Sequence, residues 1–74
     1  MVNMRVFYSS TGKPSENSKV SIAFDGLFGG VTSNEYTDEN GDAHFDVNPD
    51  NGTVYVDGKT VHKGYLSGRV IVYI

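Results

Sequence analysis

Two histidines and nine carboxylates are the side chains through which this chain could do acid–base or metal chemistry. His44 sits between Asp42 and Asp46. Imidazole with carboxylate is a donor set that zinc accepts when the ligands converge. Both His44 and His62 are expected on outward faces of strands, so solvent-facing positions are the plainer reading. Asp38, Asn40 and Asp42 alternate as the oxygen ligands of a calcium loop do. Such a helix–loop–helix site needs its glycine at the sixth position and a distal glutamate. Here Gly41 stands at the fourth, and an ordinary Asx turn accounts for the pattern better. No serine lies in a strained Gly-x-Ser-x-Gly turn. The glycine-rich Asp25–Gly30 segment leads into no expected helix and so makes no phosphate cradle. Asn51-Gly52-Thr53 matches a glycosylation sequon but reads as a turn. Catalysis needs two or more titratable groups converging in a pocket. No such constellation is visible, so a non-enzymatic chain is expected, with no metal and no cofactor.

Binding chemistry has more material. Phe7, Tyr36, Tyr55, Tyr65 and Tyr73 are aromatics on polar β-prone segments. Tyr55, His62 and Tyr65 together form a candidate surface for a carbohydrate or small ligand. Tyrosines on strands also pack across strands without any ligand. Net charge is −3, which weighs against nucleic acid and anionic membranes as partners. Glu35, Asp38, Glu39, Asp42, Asp46 and Asp50 form a window without Lys or Arg. A solvated acidic face is the simpler account. A strip meeting Lys59, Lys63 or Arg69 of a neighbouring chain is the sharper one.

The elements that must position these groups are strands. Val2, Met4, Val6 and Tyr8 alternate with Asn3, Arg5, Phe7 and Ser9. Val20, Ile22 and Phe24 do the same, and so do Ala43, Phe45 and Val47. Period-two alternation marks a sheet with one buried face. Val31 to Thr37 is polar and β-prone and reads as an edge strand. Asp38-Glu39-Asn40-Gly41 and Asn48-Pro49-Asp50-Asn51-Gly52 are turns. Asp57-Gly58 predicts a two-residue type I′ hairpin, with Val56 opposite Lys59, Tyr55 opposite Thr60 and Val54 opposite Val61. Lys63 to Gly68 is a glycine-bounded segment. Val70, Val72 and Ile74 share one face of the last strand, Ile71 and Tyr73 the other. A strand apolar on both faces is expected to be central or covered on both sides, or to complete a neighbour's sheet. Between glycines, Leu27 and Phe28 form either a plug over the core or an apolar tip offered to a partner.

Seventy-four residues make one domain, spanning 1–74. A chain of this size buries only about 60% of its unfolded surface. Without cysteine, no disulfide supplements that core, and oligomerisation is the common remaining support. No run reaches membrane-span length, and the N-terminus lacks a basic-then-apolar leader. As a full-length chain it is expected in the cytoplasm by default; as an excised domain, outside it.

Three stretches in order resemble the carboxypeptidase regulatory-like domains, a family of prealbumin-like (transthyretin-like) β-sandwiches. They are Gly12-Lys13-Pro14 before Lys19–Phe24, Thr37-Asp38-Glu39-Asn40-Gly41 before an alternating strand, and Pro49–Gly52 before Val54-Tyr55-Val56. The resemblance implies that Gly12 and Pro14 place a first hairpin and that the Thr-Asp-x-x-Gly turn joins two strands. It also implies a non-catalytic module for binding, folding support or assembly. This chain departs from the family in lacking a glycine-rich opening strand before Gly12.

The expected fold is a seven-stranded antiparallel β-sandwich, Ig-like or prealbumin-like. Its core should include Val6, Val20, Ile22, Phe24, Phe45, Val54, Val56, Val70 and Val72. The expected role is protein binding or self-assembly, the latter as a homo-oligomer, with Leu27, Phe28, Ile71 and Tyr73 as contact residues.

Overall fold

The computed structural model describes residues 1–26 and 29–74. Leu27 and Phe28, two of the four expected contact residues, lie outside the described residues. Seven strands and no helix are found among the residues described. They are β1 (Val2–Phe7), β2 (Lys19–Phe24), β3 (Glu35–Tyr36), β4 (Asp42–Phe45), β5 (Asp50–Val56), β6 (Lys59–Leu66) and β7 (Gly68–Tyr73). A three-stranded sheet runs β4-β1-β7 and a four-stranded sheet β3-β2-β5-β6.

Alternating residues of both sheets meet between them. Val2, Met4, Val6, Ala43, Phe45 and Val72 come from one sheet, and Val20, Ile22, Val54, Val56 and Leu66 from the other. Phe24, Val47, Val61, Val70 and Ile74 pack around this cluster, half-buried. All nine core residues expected from the pattern are in the cluster or against it. Val2, Met4, Ala43 and Leu66 join them.

Several expectations need correction. The sandwich is not wholly antiparallel, because β1 and β7 pair in parallel from Val2 opposite Gly68 to Phe7 opposite Tyr73. A parallel pair needs a long crossover, and β2 to β6 supply it. Nor is β7 central. That place belongs to β1, and β7 lies at the sheet edge. Segment 31–37 contributes only the two residues of β3 and a bridge from Val31 to Ala23. Between them Thr32 takes over the ladder: its Oγ1 accepts from Ile22 N–H at 2.9 Å. Finally, β5 begins at Asp50, so Asn51 and Gly52 belong to a strand rather than a turn.

The β5–β6 hairpin turns at Asp57 and Gly58, both with positive φ (51° and 83°), as a type I′ turn requires. Val56 faces Lys59 and Tyr55 faces Thr60, but Val54 faces His62. Val61 is the extra residue of a β-bulge. A one-residue shift exchanges the faces of everything beyond it. Leu66 therefore turns into the core, fully buried, and Tyr65 turns outward, 64% exposed.

Candidate interaction surface

The Thr37–Asp42 stretch carries the densest polar chemistry, and its groups are engaged in holding the chain. Thr37 is buried. Its hydroxyl donates to Ser15 O at 2.6 Å and accepts from Ser18 N–H at 2.8 Å. The Asp38 carboxylate accepts from the N–H groups of Asn40 (2.9 Å) and Asp42 (3.0 Å). Gly41, at φ +82°, accepts from Val6 N–H at 2.8 Å. The turn thus delivers the chain from the four-stranded sheet to the three-stranded one, rather than closing a hairpin within either.

Asp42 then meets Arg5. The guanidinium donates through Nε at 2.8 Å and Nη2 at 2.7 Å, one to each carboxylate oxygen. This fork-to-fork geometry is among the strongest of ion pairs. Asn3 Nδ2 adds a bond at 3.2 Å, while the buried Oδ1 of Asn3 has no partner among the described residues. The hydrogen bonds from Arg5, opposed by desolvation and helped by Asn3 and the fields of Arg5 and Arg69, hold the Asp42 carboxyl at about 2. With Asp38 and Asp42 committed in this way, the calcium-like spacing describes a turn and an ion pair. Among the described residues no group of three metal-binding side chains forms.

The sign of the pH effect follows from the lowered value. Asp42 stabilises the fold fully above its unfolded pKa and progressively less as pH falls through its folded one. A loss of roughly 1–2 kcal/mol, after allowance for solvent screening, is expected between about pH 5 and pH 2. Urea midpoints measured across that range should fall less steeply in Asp42→Asn than in the parent. Parallel slopes would refute the assignment.

The outer face of the three-stranded sheet is laid out by register. Asn3 lies between His44 and Arg69, and Arg5 lies between Asp42 and Ile71. Phe7 lies beside Tyr73, their rings stacked with centroids 5.9 Å apart. The face is polar at the Asn3 end and apolar at the Phe7 end. Ile71 is 49% exposed and Tyr73 59%, so both expected contact residues of β7 face solvent side by side with Phe7.

Tyr55, His62 and Tyr65 are not brought together. Tyr55 and Tyr65 share the outer face of the four-stranded sheet, with the Thr53–Lys63 row between theirs. The bulge puts His62 on the same side as Val54, toward the other sheet. His44 is exposed on β4, so the two histidines belong to different sheets.

Phe7 and Arg69 complete the β7 face. Phe7 was legible as an outward aromatic, but its partnership with Tyr73 depends on the parallel register. Compared with protein-family models, curated proteins and solved structures, the chain matches none.

Proposed function

We propose that this chain is a non-catalytic, protein-binding or self-assembling module, with a sandwich of the prealbumin-like type seen in carboxypeptidase regulatory-like domains. The observation that carries the role is the cluster of exposed Ile71 and Tyr73 on the edge strand β7 with half-buried Phe7 of β1 stacked beside Tyr73. Apolar groups exposed together in so small a domain favour a contact surface. The fold type is supported by its motif residues. Gly12 and Pro14 turn the chain back onto β1, with Pro14 bridged to Phe7, and Thr37–Gly41 joins β3 to β4. The ligand-binding alternative needs Tyr55, His62 and Tyr65 on one surface, so their separation favours the protein-binding reading. The Asp42 carboxyl, its pKa lowered, is tied to Arg5, in keeping with a structural role.

Light scattering over a concentration series tests self-assembly. A dimer or larger species is expected, and Tyr73→Lys is expected to weaken it. Constant monomer mass at every concentration would leave only a heterologous partner.

A further inference from the structure

The edges of the two sheets are not equally protected. β3 is two residues long, and short edges template little. β4 is four residues and carries Asp42 and His44, with Asp46 just beyond. β6 is long, but a bulge interrupts it, and Lys59 and Lys63 stand along it. Bulges and lysines are the usual means of blocking edge-to-edge pairing. β7 has neither. It pairs with β1 on one side and, among the described residues, with no strand on the other. Its six residues, Gly68–Tyr73, include no proline and no acid.

The hydrogen bonds at its end show which groups stand free. Ile74 donates to Phe7 O and accepts from Ser9 N–H. Both main-chain groups of a strand residue point to the same side, and successive residues alternate. Val70 and Val72 therefore also address β1. Arg69, Ile71 and Tyr73 turn their N–H and C=O to the open edge, while their side chains stand on the outer face.

We propose that this edge pairs with the β7 of a second copy, antiparallel, about a two-fold axis at Ile71. The inference rests on the self-assembling reading above and gives that reading a partner and a register. With Ile71 opposite Ile71 of the second copy, Arg69 stands opposite the second copy's Tyr73, and the reverse. All three outward residues then form hydrogen-bonded pairs. The cation meets an aromatic face rather than another cation. On the inner side Val70 comes to lie across from Val72, extending cover over Val70 and Ile74, which are only half-buried in one chain. Shifting the register by two residues sets Arg69 against Ile71 and leaves the Tyr73 of each copy unmatched. The occupant is a second copy because this arrangement is self-complementary. An isologous pairing closes on itself and consumes the unprotected edge of both molecules. Pairing β7 with any other edge of the chain would leave a free β7 at the end of a growing fibre.

The test uses the whole chain. Sedimentation up to roughly millimolar concentration is expected to show a dimer. Amide exchange at Arg69, Ile71 and Tyr73 should slow with concentration. Ile71→Pro removes an N–H that faces the open edge and pairs with no strand among the described residues, and edge strands tolerate proline there. It should be folded and monomeric. Tyr73→Lys sets two cations face to face and should weaken dimerisation roughly tenfold or more. Adding Arg69→Glu to it should restore the dimer, since glutamate then faces lysine across the axis. This exchange decides the matter even where the proline variant fails to fold. Self-association indifferent to Ile71→Pro, or a double variant no tighter than Tyr73→Lys alone, overturns the β7 register while the self-assembling reading stands. A wild-type monomer throughout overturns both.

Discussion

Gly41→Ala is expected to cost about 3 kcal/mol or more and to leave much of the protein unfolded at room temperature. Two effects add. The residue sits at φ +82°, in the left-handed region, where a Cβ is strained by about 1–2 kcal/mol. A Cβ would also stand 2.5 Å from Val6 O and 3.2 Å from Pro14 Cβ. The first of these is main chain in the central strand and cannot yield without moving β1. The Gly41 carbonyl is the acceptor for Val6 N–H, so the displacement would also disturb the β1–β4 junction. Gly12→Ala is the control. Gly12 has a similar φ of +73° but no atom within 4 Å of its would-be Cβ, so only the conformational part, about 1 kcal/mol, applies. Urea titrations of the two variants measure the difference. Equal midpoints would mean that the close approach to β1 is not a constraint.

That turn shows what could be read from the chain and what could not. Asp38 to Gly41 announces a bend, because Asx and glycine are the residues that a bend needs. That the bend crosses between sheets is not written there, since it depends on where β1 lies. The same holds for β1 itself. Its alternation marks Val2, Met4 and Val6 as one face, yet its central place comes from a parallel partner at the other end of the chain. The Arg5–Asp42 pair joins residues 37 apart in sequence, and no local signal links them. Ile71 and Tyr73 stand on an exposed face, consistent with their reading as contact residues. The pattern of the strand that carries them calls for a central or doubly covered place, or for a neighbour's sheet to complete, and one chain alone leaves its outer face and outer edge open. Apolar composition on both faces and an edge position are in tension within a monomer. A second β7 alongside would relieve the tension at the edge.

Leu66→Ala and Tyr65→Ala should differ sharply although the two residues are adjacent. Leu66 is fully buried, and its truncation should cost about 2–5 kcal/mol, enough to unfold most molecules of so small a domain. Tyr65 is 64% exposed, and its loss should stay within roughly 0.5 kcal/mol. The contrast is created by one residue. If β6 continued in the register set by the hairpin turn, Val54 would face Val61 and Asp50 would face Tyr65. Tyr65 would then point inward and Leu66 outward. The bulge at Val61 places Leu66 opposite Asp50 instead and keeps Val61 itself against the core. Gly52 accommodates the result: a Cβ there would come within 3.3 Å of Leu66 Cδ1 and 2.8 Å of Ala23 O. The leucine thus covers a strand position that has no side chain of its own. Deleting Val61 should remove the bulge but not the register beyond it, since His62 already faces Val54 and Leu66 already faces Asp50. Leu66 should keep its place over Gly52, and the cost, chiefly the lost packing of Val61 against the core, should stay below that of Leu66→Ala. Thermal unfolding of the three variants orders them. A Tyr65→Ala variant less stable than Leu66→Ala would show that the register of β6 is the unbulged one.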